Sequence, residues 1–357
     1  MHNTQNDFTK QLQSEVLQAI ATGNTLTIRA GGSKDFYGRK VTASNVISIA
    51  EHQGIISYEP TELVIKARAG TSLKTIQQAL AENKQMLAFE PPAYNEKTTL
   101  GGTLAGNFSG PRRAYSGAAR DYVLGSTILN GKAELLSFGG QVMKNVAGYD
   151  VSRLITGALG TLGVIMDASI KVVPMPEADS TFMQTISLHE ALNRLHQYSR
   201  LPLPISASCF YQDKLYIRLS GTERAIEKAG KSIGGDQLNN AHNFWQSITD
   251  QTHAFFQSEL ALWRLSLASN TAAVFPEENT LYEWGGALRW LKSDAAQATI
   301  RSDSHLINGH CTLFRSTGSR NQVFQTLPAP LLQLHLRLKH AFDPHGIFNI
   351  GRMYPDF

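Results

Sequence analysis

Residues 99–117 read TLGGTLAGNFSGPRRAYSG, and with RAGGSKDFYG at 29–38 and NVAGYDVSRLITGALGTLGVI at 145–165 they decide the fold. From Gly101 to Gly163 there are 13 glycines in 63 positions, against 29 in the whole chain of 357. Glycine forfeits backbone entropy, so this density points to backbone in unusual conformations or pressed against a ligand or a neighbouring strand. A set of tight turns is the plain alternative. Several separate glycine loops can share one large ligand, because their amides form concave nests for a pyrophosphate while a flat apolar ring lies along the remaining backbone.

Two familiar nucleotide motifs are excluded. No G-x-G-x-x-G follows a strand and opens a helix, so the doubly wound dinucleotide fold is disfavoured. The stretch from Gly125 to Lys132 has five residues between its glycines and Ala133 where a P-loop needs Ser or Thr, so it reads as a hairpin turn.

Outward from the loops, Phe8, Leu12, Val16 and Ile20 followed by Gly23 predict an amphipathic helix with a glycine stop. Strands are expected at TLTIRA (25–30), NVISI (45–49) and LVIKARA (63–69), and Thr71 or Ser72 can cap the helix carrying Leu73, Ile76 and Leu80. Pro174 and Pro176 mark a domain boundary. Beyond it, helices near 187–199 and 221–232 alternate with strands at ISASCFYQ, KLYIRLS, WRLSL and GALRWLK, and a helix spans about Ala329 to Phe342. The expected architecture is α+β: a domain of two α+β parts over 1–176, a smaller α+β cap over 177–305, and a segment over 306–357 that returns to the first domain.

Composition bounds the function. With 42% hydrophobic and 17% charged residues, the chain leaves no room for long disorder. The formal charge of +4 suits an anionic ligand, but the basic residues form no run, which argues against nucleic acid. The polar start MHNTQNDFTK and the absence of an 18-residue apolar window predict a cytoplasmic chain with no direct membrane span. Cys209 and Cys311 alone cannot hold an iron–sulfur centre, so collected electrons must leave through a partner or a diffusible acceptor. His305 and His310 have no third ligand in view, and no metal is expected.

The glycine loops resemble the FAD-binding domain of the vanillyl-alcohol oxidase (PCMH) type. More closely, YEPTELVIKARAGT, GPRRAYSGAARDYVLG, GGQVMKNVAGYDVSRL, EWGGALRWLKS and FDPHGIFNIGRM are similar to the smaller, E-type FAD-binding subunits of bacterial glycolate oxidase complexes, over about residue 8 to the end. The resemblance implies a first pyrophosphate loop of Arg29, Gly31, Gly32, Ser33 and Lys34, closed by Gly38, and a second of Thr99, Gly101 and Gly102. It implies that Asn107 and residues 109–117, including Ser109, Gly110, Arg112, Tyr115 and Gly117, line the flavin. Gly160, Thr161, Gly163 and Val164 would meet the adenosine side, and Gly148, Tyr149 and Asp150 belong to the same cradle. Asn349, Gly351 and Arg352 would approach the isoalloxazine ring, with Ile350 where the family usually has proline. Some relatives tether the cofactor to histidine or cysteine, but no histidine stands between His52 and His189 and no cysteine before Cys209, so FAD is expected to be non-covalent.

The implied function is oxidation of a small 2-hydroxy acid, glycolate to glyoxylate, alongside a larger FAD subunit and an iron–sulfur subunit, which could hold the complex at the inner face of the membrane. Such chemistry needs a base for the hydroxyl proton, a cation for the carboxylate and a flavin for the hydride equivalent. The candidates are His310 as base and Arg315, Arg289 and Arg264 as forks for the carboxylate. A strand histidine can equally be a packed or surface residue, the arginines can cover tryptophan faces, and Glu283–Gly286 can be a packed turn. Lys144 and Arg352 are alternative cations for the reduced flavin. The rival is an FAD subunit that serves as a structural or electron-relay element while the larger subunit performs the chemistry.

Overall fold

The computed structural model describes residues 6–140, 150–355 and 357. The first helix is Thr9–Thr22, which buries Leu12, Val16 and Ala19 and ends on left-handed Gly23 (φ 68°). Strand Leu26–Arg29 follows and pairs in parallel with Asn45–Ser48. Leu26 also bridges Phe348, so the C-terminal segment lies beside the first strand. Among the described residues, a second unit is a five-stranded antiparallel sheet in the order Ile55–Glu59, Val64–Arg68, Val164–Lys171, Val123–Leu129 and Leu135–Gly139. Ser72 caps helix Leu73–Ala81 by accepting from the Thr75 amide, while Thr71 ties down Gly54 instead. Asn130 turns Val123–Leu129 into Leu135–Gly139, confirming the hairpin expected there.

The cap is one antiparallel sheet of eight strands among the described residues, in the order Asp236–Gln237, Ala178–Thr185, Lys214–Gly221, Ile205–Tyr211, Thr280–Glu283, Leu288–Ser293, Ala261–Ser266 and His310–Arg315. The last strand lies past the expected boundary at 305, because the exposed ladder of Ala261–Ser266 takes it as a partner. Helices Leu188–Tyr198 and Glu223–Ile233 cover one part of the sheet through Leu188, Leu195, Ile226 and Ile233. The strand period of two sends Trp263, Leu265, Leu291 and Leu313 to the outer side, where they pack on Ile300 of helix Gln297–Leu306. Their neighbours Leu262, Leu288, Trp290 and Phe314 face the first domain and share a cluster with its Tyr37 and Phe108. No helix among the described residues is long and apolar enough to cross a membrane.

An ion cluster joins the cap to the first domain. Glu90 accepts from Arg112 Nε (3.2 Å) and from Arg218 Nη2 of the cap (2.7 Å), and Arg112 reaches Ser220 Oγ (3.1 Å). The chain then returns through helix Ala329–Phe342, in which Lys339 is buried and donates to Thr161 O, Asp343 Oδ2 and Phe348 O at 2.6–2.8 Å. Asp343 in turn accepts the amides of Ile347 and Phe348.

Candidate functional site

Strand Leu26–Arg29 delivers the chain into a loop whose amides at Gly31, Gly32, Ser33 and Lys34 donate no hydrogen bond among the described residues. Four successive N–H groups without an acceptor are the kind of donor set that a bound anion takes up. The Lys34 ammonium adds charge: its Nζ is 3.3 Å from Ser33 Oγ and 5.8 Å from the Tyr94 ring centroid, with no carboxylate paired to it among the described residues. Burial holds its pKa down at about 7. Arg29 pairs with Asp35. These groups, with Thr99, Gly102, Asn349 and Arg352, line a cavity of about 120 Å³. Gly38 (φ 81°) closes the loop against Arg352, whose guanidinium donates to Lys34 O and Arg39 O.

At Gly31 a Cβ would lie 1.5 Å from the Lys97 carbonyl oxygen. Gly31→Ala must therefore push two backbone segments apart, and overpacking of this kind costs about 1–3 kcal/mol. A urea midpoint lowered to match, with FAD no longer retained through gel filtration, is the expected outcome.

The second glycine stretch forms a helix, Leu100–Gly106, capped by Thr99, whose Oγ1 accepts from the Gly102 amide. Gly101 packs so closely that a Cβ would stand 2.7 Å from Ala69 Cβ. Its glycines thus serve helix–sheet approach as much as the cavity. Left-handed Asn107 (φ 51°) ends the helix, and Asn107, Ser109 and Gly110 border a second cavity. Gly117 (φ 104°) lies against Asp121 and Tyr122. Arg112 and Tyr115, expected at the flavin, are committed elsewhere: Arg112 to Glu90, and the Tyr115 hydroxyl to Ser208 Oγ of the cap at 3.1 Å.

In the third stretch, Gly148, Tyr149 and Lys144 lie outside the described residues. Asp150 caps helix Val151–Ile155 by accepting from the Arg153 amide. Gly160 (φ 72°) comes within 2.7 Å, at its Cβ position, of Asn349 Nδ2, and Gly163 (φ 147°) comes as close to Leu129 O. Thr161 offers its carbonyl to Lys339, and Val164 is buried in the five-stranded sheet. Left-handed Asn349 (φ 43°) is fixed at both ends, accepting from the Ile28 amide (2.9 Å) and donating to Leu159 O (2.7 Å). Gly351 (φ 74°) follows it, and Ile350 is partly exposed.

The second cavity, of about 30 Å³, is bounded on the cap side by Arg264, Glu283, Trp284, Trp290 and Phe314 and on the other by Tyr94, Phe108 and the Asn107–Gly110 backbone. Tyr37, Tyr94, Phe108, Phe314 and Trp290 pack ring against ring with centroids 4.8–6.0 Å apart. The guanidinium groups of Arg113 and Arg264 lie over the Trp284 ring, 4.4 and 5.2 Å from its centroid. Arg315 lies over Phe36 and donates to Gln251 Oε1 at 2.8 Å, beside the same cavity. Arg289 is not brought there. It alternates with Leu288 and Trp290, so it points to the opposite face of the sheet, where it is fully buried and donates to the carbonyls of Gly286, Ala272 and Thr271. His310 starts its strand at an exposed position and borders neither cavity. Glu283, read from sequence only as part of a turn, ends the buried strand TLYE and borders this cavity as well.

Comparison with known proteins shows what the chain is similar to. The FAD binding domain family matches residues 8–139. The glycolate oxidase subunit GlcE of Escherichia coli (strain K12) is 44% identical over 350 residues, covering 98% of each chain. The glycolate oxidase subunit GlcD of Bacillus subtilis (strain 168) is 26% identical, over 98% of this chain and 91% of that one. Among solved structures, alkyldihydroxyacetonephosphate synthase superposes with a TM-score of 0.68 at 13% identity, over 95% of this chain and 74% of that chain. At that identity the likeness speaks for the fold alone.

Proposed function

The chain belongs to the family of the glycolate oxidase E subunits and carries an FAD-binding domain, and from that premise we propose that it is the FAD-holding subunit of a complex that oxidises a small 2-hydroxy acid, glycolate to glyoxylate, and passes the electrons to its partners. One observation carries the cofactor reading: the free amides of Gly31, Gly32, Ser33 and Lys34 surround the same cavity as the unpaired Lys34 ammonium, a fit for a diphosphate. FAD supplies a hydride acceptor when bound. The protein's own contributions are to hold the diphosphate at Gly31–Lys34, to keep strand Leu26–Arg29 and the turn at Leu159 aligned through Asn349, and to exclude water with the aromatic cluster around Phe108.

The attachment is read as non-covalent, since the residues around both cavities include neither histidine nor cysteine. For the acid's carboxylate, Arg264 and Arg315 are the cations facing the first domain. The partners are read as a larger flavin subunit and an iron–sulfur subunit, and the location as the cytoplasmic side. In favour of that division of labour, the chain's two cysteines are both buried, and a cluster needs about four thiolates.

The relay reading has one observation in its favour, the closure of the cap side by aromatic rings to a cavity of about 30 Å³. Anaerobic addition of glycolate to the FAD-loaded full chain separates the two. Bleaching of the flavin band is the expected result; a fully loaded flavin that stays oxidised would leave this chain the relay role, and failure to load FAD would overturn the cofactor reading itself.

A further inference from the structure

Two charged side chains of opposite sign border the small cavity without being paired to each other. Glu283 closes strand Thr280–Glu283, all four residues of which are buried, and the register sets it across from Leu288 with Trp290 and Arg264 on the same face. Trp290 Nε1 donates to its Oε2 at 2.7 Å. Among the described residues nothing donates to Oε1, and Glu283 lines the same cavity as Asn107, Ser109 and Gly110. The Arg264 guanidinium, stacked on Trp284, forms no ion pair or hydrogen bond among the described residues. A carboxyl with one oxygen anchored and one open, beside an uncommitted guanidinium, is the arrangement that a hydroxyl and an adjacent carboxylate require.

We propose that Glu283 is the base that accepts the hydroxyl proton of the 2-hydroxy acid, while Arg264 holds the acid's carboxylate. This rests on the reading that the chain binds FAD and meets the acid itself. With FAD bound, the hydroxyl proton would pass to the Glu283 carboxylate as the C2 hydrogen left with its electron pair to the cofactor, which would supply the hydride acceptor, and the C2–O bond would become the carbonyl of the 2-oxo acid. Glu283 later gives its proton to water, and the electron pair leaves through the partner subunits.

The electrostatics suit the task. Burial raises the Glu283 carboxyl to about 7, the Trp290 hydrogen bond and Arg264 draw it down, and Glu90 of the first domain adds to the rise. The Cys209 thiol stands opposite on the neighbouring strand and is itself pushed up by burial, so it stays neutral. A base poised near neutrality is efficient, and its removal typically costs about 10²–10⁴-fold in rate.

Glu283→Gln keeps an acceptor for Trp290 Nε1 and removes the base. In the FAD-loaded full chain the expected results are unchanged FAD content and anaerobic flavin reduction by glycolate slowed about a hundredfold or more. The tryptophan fluorescence of the full chain should lose a pH-dependent step near neutrality that the native chain shows. Glu283→Asp, which keeps a carboxyl one methylene back, should retain that step and recover part of the rate. Native-like reduction by Glu283→Gln would overturn the base assignment and leave the FAD reading intact. A native chain that binds FAD and is never reduced by glycolate would overturn both the assignment and the substrate reading.

Discussion

Lys339→Met is expected to lower stability by about 3–5 kcal/mol, because it strands the Asp343 carboxylate in the interior without its cation. Neither side chain has an escape to water: Asp343 is 0% and Lys339 8% exposed at the side chain, and the two are 2.6 Å apart. Lys339 also satisfies Thr161 O and Phe348 O, so the substitution leaves two further acceptors bare. The effect should spread to the cofactor. Asp343 organises the amides of Ile347 and Phe348, the latter beside Leu26, and the next residue, Asn349, spans from Ile28 to Leu159 at the edge of the cavity. Urea denaturation and FAD retention should therefore fall together. A variant of native stability would show that the return segment is not held by this pair.

Lys34→Met is expected to weaken FAD binding by roughly 10- to 100-fold, the range of a hydrogen bond to a charged group lost from a diphosphate. The pH dependence is diagnostic. Burial places the free Lys34 at about 7, below its ordinary 10.5, and a bound diphosphate must raise it again. Below pH 7 the ammonium is already charged and affinity is flat; above pH 7 binding must take up a proton, so affinity falls by as much as tenfold per unit until the bound pKa is reached. Equilibrium titrations at successive pH values should show this slope in the native chain and its disappearance in Lys34→Met. The same slope in both would assign the proton to another group.

Local features of the fold were legible because they rest on short-range physics. The apolar spacing of Phe8, Leu12, Val16 and Ile20 with Gly23 behind it, and the run from Ala329 to Phe342, mark helices that the structure forms. The loop at Gly31–Lys34 was singled out from its glycines and lysine, and in the structure these residues line one cavity. Leu100–Gly106 was not, since three glycines argue against a helix, and only the close packing of Gly101 on Ala69 and of Gly106 on Phe108 accounts for two of them. Long-range pairing was equally hidden. Nothing local announces that Glu90 joins Arg112 to Arg218, that Arg289 points away from the first domain, or that Tyr115 reaches Ser208. Glu283 lay in the same category: it acquires its raised carboxyl from burial, with Trp290, Arg264 and Glu90, which are far apart in sequence or in separate strands, acting on it.

The central claim is that the Gly31–Lys34 seat holds the diphosphate of FAD. Competition between FAD and riboflavin for the full chain tests it most directly, because riboflavin keeps the ring and lacks the phosphates. The account predicts FAD binding tighter by about a hundredfold or more, with the gap narrowed in Lys34→Met. Equal affinity for the two, unchanged by the substitution, would contradict it.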